Sequence, residues 1–96
     1  MTAGTPRAAA GPVLNASPAS DGIIVAIHAQ NQDVQVVDRG GYRRVLVPGR
    51  CRVSRAAIEE AIGAPFRMPV DLERVMPSFT GRFHATEDEA VWEGEP

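Results

Sequence analysis

Residues 38–66 read DRGGYRRVLVPGRCRVSRAAIEEAIGAPF, and the plan of the fold is written in this stretch. Arg39-Gly40-Gly41 supplies a turn that tolerates positive φ. Tyr42–Val47 then alternates as a strand does, and DVQVVD (33–38) alternates in the same way just before it. The two segments predict a β-hairpin. Pro48-Gly49 is a further turn, with proline pre-set for its first corner and glycine for its second. The segment RCRV follows as a third short strand that puts Cys51 and Val53 on one face. Ser54 caps the next helix, whose expected buried stripe is Ala57, Ile58, Ala61 and Ile62. Arg55, Glu59 and Glu60 look outward. Gly63 ends the helix and Pro65 forbids its return.

Upstream, Pro12–Leu14 reads as a very short strand. Ser17 is an N-cap with Pro18 at the first helical position. Ile23, Ile24 and Ile27 fall at helical spacing, which predicts a helix over about 18–30. Gly22 is expected to weaken it by about 1 kcal/mol relative to alanine. Downstream, Phe66 and Met68 lead into a loop broken by Pro69. DLERVM (71–76) is expected as a strand stopped by Pro77, and SFTGRFHA (78–85) as one strand containing a glycine. EDEA is an acidic turn, and AVWE (90–93) closes the sheet. The order of elements predicts an α+β fold of two βα(β)β units, a mostly antiparallel sheet with two helices, loosely ferredoxin-like. Residues 1–10, MTAGTPRAAA, read as a disordered arm before a single domain, 11–96.

A chain of 96 residues has room for one modest core and no large active-site cavity. Its formal net charge of −2 does not advertise nucleic-acid binding. All ten positive side chains are arginine, and six of them lie between Arg39 and Arg55. The single cysteine, Cys51, excludes an intramolecular disulfide and a thiolate zinc site and suits a reducing cytosol. The longest apolar run, Ile23–Ile27, is far short of the ~20 residues that span a bilayer. The N-terminus lacks the apolar stretch of a signal peptide. A cytoplasmic protein is expected.

No catalytic constellation can be assembled. His28 and His84 stand in different halves of the chain. Glu87, Asp88 and Glu89 form a run on a turn, and such runs are solvated. DRGGY lacks the spacing and the following helix of a phosphate loop. Arg50 and Arg52 beside Cys51 raise the idea of thiol chemistry, but a mid-strand thiol is more often a small buried hydrophobe. Arg43 and Arg44 point to opposite faces of a strand. A phosphate-binding patch wants its arginines on one face, interleaved with aromatics, and Tyr42 alone is near. A small arginine-rich α+β nucleic-acid-binding module is therefore the alternative reading, not the first.

The ordered pattern from Val34 to Phe83 resembles the coupling (effector, or regulatory) proteins of soluble diiron monooxygenases, the methane, phenol, toluene and alkene enzymes. It comprises the valine-rich strand, the Asp38-Arg39 pair, Tyr42, the capped helix with its Glu59-Glu60 centre, Ile62-Gly63-Ala64-Pro65-Phe66, and Ser78-Phe79-x-Gly81. The resemblance implies a regulator with no catalysis and no cofactor of its own. Such a regulator docks on a diiron hydroxylase, shifts the helices carrying the iron ligands, and couples use of NADH and O2 to product. A reductase, and in some systems a Rieske-type ferredoxin, would be its functional neighbours, and the free protein would be a monomer. Two departures stand out, Pro69 and Pro77, in a segment about one residue longer than the usual spacing. The short N-terminal arm points to the aromatic or alkene group.

The resemblance places the residues just before Ser-Phe-x-Gly in the hydroxylase contact, so Val75, Met76, Pro77, Ser78 and Phe79 are contact candidates. Met76 and Phe79 are expected to be partly exposed because a proline breaks the chain between them. The apolar helical stretch holding Ile23 and Ile24, and Val13, Leu14 and Asn15 just before it, complete the candidate docking surface.

Overall fold

The computed structural model describes residues 8–95. Strand β1 (Ala9–Asn15) leads into helix α1 (Pro18–Gln30), then strands β2 (Gln35–Asp38), β3 (Tyr42–Pro48) and β4 (Arg50–Ser54). Helices α2 (Arg55–Ile62) and α3 (Val70–Val75) follow, then β5 (Ser78–Thr80), β6 (Arg82–Ala85) and β7 (Glu89–Glu93). The strands make two antiparallel sheets, one in the order β2-β3-β1-β5 and the other β4-β7-β6. The α+β class and the antiparallel pairing are as expected. The expected β2–β3 hairpin is present, with Asp38 opposite Arg43.

Local chemistry sets the helix ends. Ser17 is extended, and its hydroxyl accepts from the Ser20 amide at 3.1 Å, with Pro18 opening the helix. At the other end Asn31 takes over from the helix. Its side-chain amide donates to the carbonyls of Ile27 (2.8 Å) and Arg52 (2.7 Å) and accepts from the Arg52 amide (3.0 Å). Gln30 does the same for Ser54, accepting from its amide at 2.7 Å. Two side-chain amides thus stand in for a neighbouring strand along the outer edge of β4 at Arg52 and Ser54. Ser54 caps α2 by accepting from Ala57 N at 3.1 Å, and Gly63 closes it in the left-handed region at φ 70°.

The core lies between the two sheets and the helices. Leu14, Ile23, Ile27, Val45, Val53, Ile58, Leu72 and Trp92 have no exposure. The β3 alternation is clear: Val45 and Val47 face this core while Tyr42, Arg44 and Leu46 take the other side. Gly22 has a packing role. A Cβ there would lie 2.1 Å from Ile62 Cγ2, so only glycine lets α1 and α2 approach this closely.

Several expectations are corrected. DLERV is helix α3, not a strand, which makes three helices. Leu72, Val75 and Met76 lie at i, i+3 and i+4 and turn toward the core, a grouping no strand would give them. The Arg67 amide donates to Asp71 Oδ2 at 2.8 Å and helps set the first turn. SFTGRFHA is two strands in different sheets. The chain changes sheet at Gly81 (φ 96°), where a Cβ would lie 2.5 Å from the Glu93 carbonyl oxygen. The β7 strand does not close an edge but is the centre of its sheet, which is why Trp92 is fully buried. In α2 only Ile58 is fully covered, and Ala61 is exposed. β1 is longer than Pro12–Leu14: it begins at Ala9, and Ala10 is buried and paired with Val47. The folded part therefore starts before residue 11, and residues 1–7 of the expected arm lie outside the described residues.

Candidate functional site

Among the described residues no three His, Cys, Asp or Glu side chains gather to hold a metal ion. His28, in the last turn of α1, and His84, on β6, are both exposed and on separate elements. Cys51 is completely buried on β4, and burial pushes its thiol up to about 12. A thiol so placed stays protonated and unreactive at neutral pH. No helix among the described residues is long and apolar enough to cross a membrane. The chemistry available is that of a surface.

The arginine cluster divides into two sets. Arg52 Nε donates to Glu89 Oε1 at 2.5 Å. Arg55 reaches Glu59 at 3.3 Å, Asp88 at 3.5 Å and the Glu87 carbonyl at 3.0 Å. The acidic turn before β7 is thereby tied to the start of α2, and the carboxylates of Asp88 and Glu89 bind arginines of the same chain. Arg43 pairs with Asp21 and lies 3.9 Å from Asp38. Arg39, Arg44 and Arg50 form no ion pair among the described residues. Arg44 Nη2 instead donates to the Thr80 hydroxyl at 3.3 Å.

Of the ten contact candidates, three are core residues. Leu14 and Ile23 have no exposure, and Met76 has 8%. Leu14 and Ile23 are buried because strand and helix each turn one side inward, and Met76 because α3 brings it under the domain. The expectation of a partly exposed Met76 is corrected. Ile24 and Val75 are half-buried and pack against the core. Asn15, Pro77, Ser78 and Phe79 are exposed, with Phe79 at 43%, and Val13 is half-buried. The Phe79 ring lies 5.4 Å from Phe83, which lies 5.2 Å from Trp92, so an exposed aromatic is joined to the core through one intermediate ring.

The structure gathers some of these residues and separates others. Val13 is opposite Arg44 on one side and Ser78 on the other, and Asn15 is opposite Tyr42. Val13, Ser78 and Phe79 therefore line one shallow depression of about 530 Å³ together with Tyr42, Arg39, Arg44 and Thr80. Ile24 on α1 does not belong to it. Three exposed hydrophobics were missed by sequence reading: Tyr42, at 43%, Val25 on α1, at 59%, and Val70 on α3, at 47%. The signal for Tyr42 was present in the strand alternation, which places it opposite in sense to the buried Val45 and Val47.

The MmoB/DmpM family model matches residues 8–93. The chain belongs to that family. It is 38% identical over 84 residues to the effector subunit of the alkene monooxygenase system of Xanthobacter autotrophicus (strain ATCC BAA-1158 / Py2), covering 85% of this chain and 82% of the relative. Two solved structures share its fold. The phenol hydroxylase–regulatory protein complex contains a chain that matches with a TM-score of 0.77 at 18% identity, over 88% of this chain and 95% of that one. The regulatory protein B of soluble methane monooxygenase matches with a TM-score of 0.68 at 23% identity, over 99% of this chain and 70% of that one. These relatives are named as effector or regulatory components, not catalytic ones.

Proposed function

We propose that this chain is the effector subunit of a monooxygenase system. It docks on the diiron hydroxylase, remodels the active site there, and couples NADH and O2 consumption to hydrocarbon hydroxylation or epoxidation. The observation that carries the reading is family membership across residues 8–93. The phenol hydroxylase relative is seen in complex with its regulatory protein, which supports a hydroxylase as the partner. The reductase, and a Rieske-type ferredoxin where the system has one, act on the same hydroxylase.

The proposed contact residues are those the fold leaves accessible: Val13 and Asn15 on β1, Ile24 and Val75 at the margins of the core, and Pro77, Ser78 and Phe79 at the start of β5. Leu14, Ile23 and Met76 support them from within.

The reading is tested by reconstitution with the cognate hydroxylase and reductase. Adding the protein raises both the rate and the product formed per NADH. Unchanged rate and unchanged product per NADH refute it. The nucleic-acid alternative is weakened, since three of the six clustered arginines, Arg43, Arg52 and Arg55, are neutralised by carboxylates of the same chain.

A further inference from the structure

Each of the two sheets has two outer edges, and three of these edges are blunted. The edge of β4 is occupied at Arg52 and Ser54 by the side-chain amides of Asn31 and Gln30. β5 is only three residues long. β6 carries the exposed Arg82, a charge of the kind that discourages pairing along an edge. β2 has none of these devices. It reads Gln35-Val36-Val37-Asp38, with no proline and no basic residue. The Asp38 carboxylate is used within its own turn, where it accepts from the Gly40 amide at 2.8 Å. Among the described residues no loop or side chain bonds to the backbone of Val36 or Asp38.

Two contacts fix which backbone groups of β2 face outward. The Arg39 amide donates to the Tyr42 carbonyl at 2.9 Å, and the Ala16 amide donates to the Gly41 carbonyl at 3.0 Å. Along an antiparallel ladder such groups alternate in direction. Tyr42, Arg44 and Leu46 therefore turn their amides and carbonyls to β2, where Val37 stands opposite Arg44 and Gln35 opposite Leu46. Val36 and Asp38 turn theirs to the free side. The side chain of Val36 is half-buried and packs against the core, and that of Val37 is half-buried on the other face. The edge is thus a flat template with open donors and acceptors and an apolar middle, the form that recruits another strand.

We infer that β2 pairs with β2 of a second copy of this chain, antiparallel, about a two-fold axis through Val36. Val36 then faces its own counterpart and exchanges two hydrogen bonds with it. Val34 faces Asp38 of the second copy, and Gln35 faces Val37. Two positions further from the axis on each side, the same register sets Asp33 against Arg39 of the second copy, twice by symmetry. Both residues are exposed, and neither has an ion pair among the described residues. The edge is therefore complementary to itself in charge as well as in hydrogen bonding. A shift of two residues either way, the smallest that keeps each face, separates Asp33 from Arg39. The product is a continuous sheet in the order β5-β1-β3-β2-β2-β3-β1-β5. Its seam lies two strands from β1, and the inference does not depend on the effector reading. One short strand per copy makes a small seam, so the association is weak and concentration-dependent. The free protein passes between the monomer that the resemblance implies and this dimer.

The test is sedimentation equilibrium of the purified full-length protein over a wide range of concentration, at low and at high salt. The proteins are wild type, Asp33→Arg, Arg39→Asp, the double variant carrying both changes, and Val36→Pro. Wild type shows a dimer that grows with concentration and is diminished by salt. Each single reversal sets like charges opposite each other at two places and weakens association about tenfold. The double variant restores the opposite charges and returns to within about threefold of wild type. Val36→Pro removes an amide that points away from β3 and abolishes the dimer. Arg39→Asp melts with wild type. Asp33 has φ 56°, so arginine there lowers the melt slightly, and the double variant carries the same cost. If Val36→Pro does not fold, the single reversals and their rescue decide alone. A wild type that stays monomeric throughout overturns the inference. So does a dimer that the single reversals or a folded Val36→Pro leave intact, or one that the double variant does not restore.

Discussion

Replacing Gly22 with alanine sets helix propensity against packing, and the structure decides the sign. On propensity alone the change should stabilise α1 by about 1 kcal/mol, because alanine is the better helix former. The added Cβ, however, would lie 2.1 Å from Ile62 Cγ2, 3.3 Å from Ile62 Cβ and 3.5 Å from Ile62 N. Isoleucine in a helix has one strongly preferred χ1, so Cγ2 does not swing aside freely. The helices must then separate or Ile62 must leave its rotamer, and overpacking of this kind costs about 1–3 kcal/mol. The expected net effect is a destabilisation of ~1 kcal/mol. For a domain of this size that lowers the melting temperature by about 4–8 °C. Thermal melting by circular dichroism reads this directly. The partner experiment is Ile62→Ala, alone and combined with Gly22→Ala. In the truncated background the alanine at 22 becomes neutral or stabilising, giving a coupling of ~1 kcal/mol or more between the sites. A higher melting temperature for Gly22→Ala in the wild-type background would refute the close approach of the two helices.

Met76→Ala and Phe79→Ala separate support from contact. Met76 has 8% exposure, so its truncation costs about 2–5 kcal/mol of stability and lowers the melt by on the order of 10 °C or more. Phe79 is 43% exposed, so its truncation moves the melt by only a few degrees but weakens hydroxylase binding about tenfold; a larger melting loss for Phe79→Ala than for Met76→Ala reverses the assignment. Cys51 resists iodoacetamide in the native protein at pH 8 and reacts only on unfolding, which a mass-spectrometric time course measures; rapid native labelling contradicts its burial. Its thiol is pushed up to about 12 by burial, whereas the unfolded thiol ionises near the ordinary value, so the unfolded chain binds fewer protons between the two. Stability from this group is full below pH ~8.5 and falls by up to about 1.4 kcal/mol per pH unit as pH rises from there towards 12. Cys51→Ala, being free of that loss, shows a shallower decline in urea midpoint over pH 9–11, and parallel declines would remove the effect.

The sequence by itself determined the local punctuation of this protein. Ser17-Pro18 and Ser54 open helices because a hydroxyl and a pre-set φ act within one turn of chain. Gly63 and the turns at 39–41 and 48–49 close elements through their own backbone freedom. The β2–β3 hairpin followed from two alternating strands and the short turn between them. The ordered motifs that resemble the effector family are likewise strings of neighbours, which is why the family was readable from Val34 to Phe83. What only the tertiary structure decided is which side each element turns to the core and which strands lie in the middle. DLERV was read as a strand although Leu72, Val75 and Met76 stand at helical spacing, and the packing of these three against the core fixes it as a helix. Leu14, Ile23 and Met76 looked available in the sequence and were taken by the core. The outer face of the four-stranded sheet was invisible for the same reason. Val37, Arg44, Val13 and Ser78 come from four separate segments, and only the order β2-β3-β1-β5 and its register set them in one row. Hydrophobic alternation states that a strand has two faces, but the face that meets water is set by partners far along the chain, through the apolar area each pairing removes from solvent.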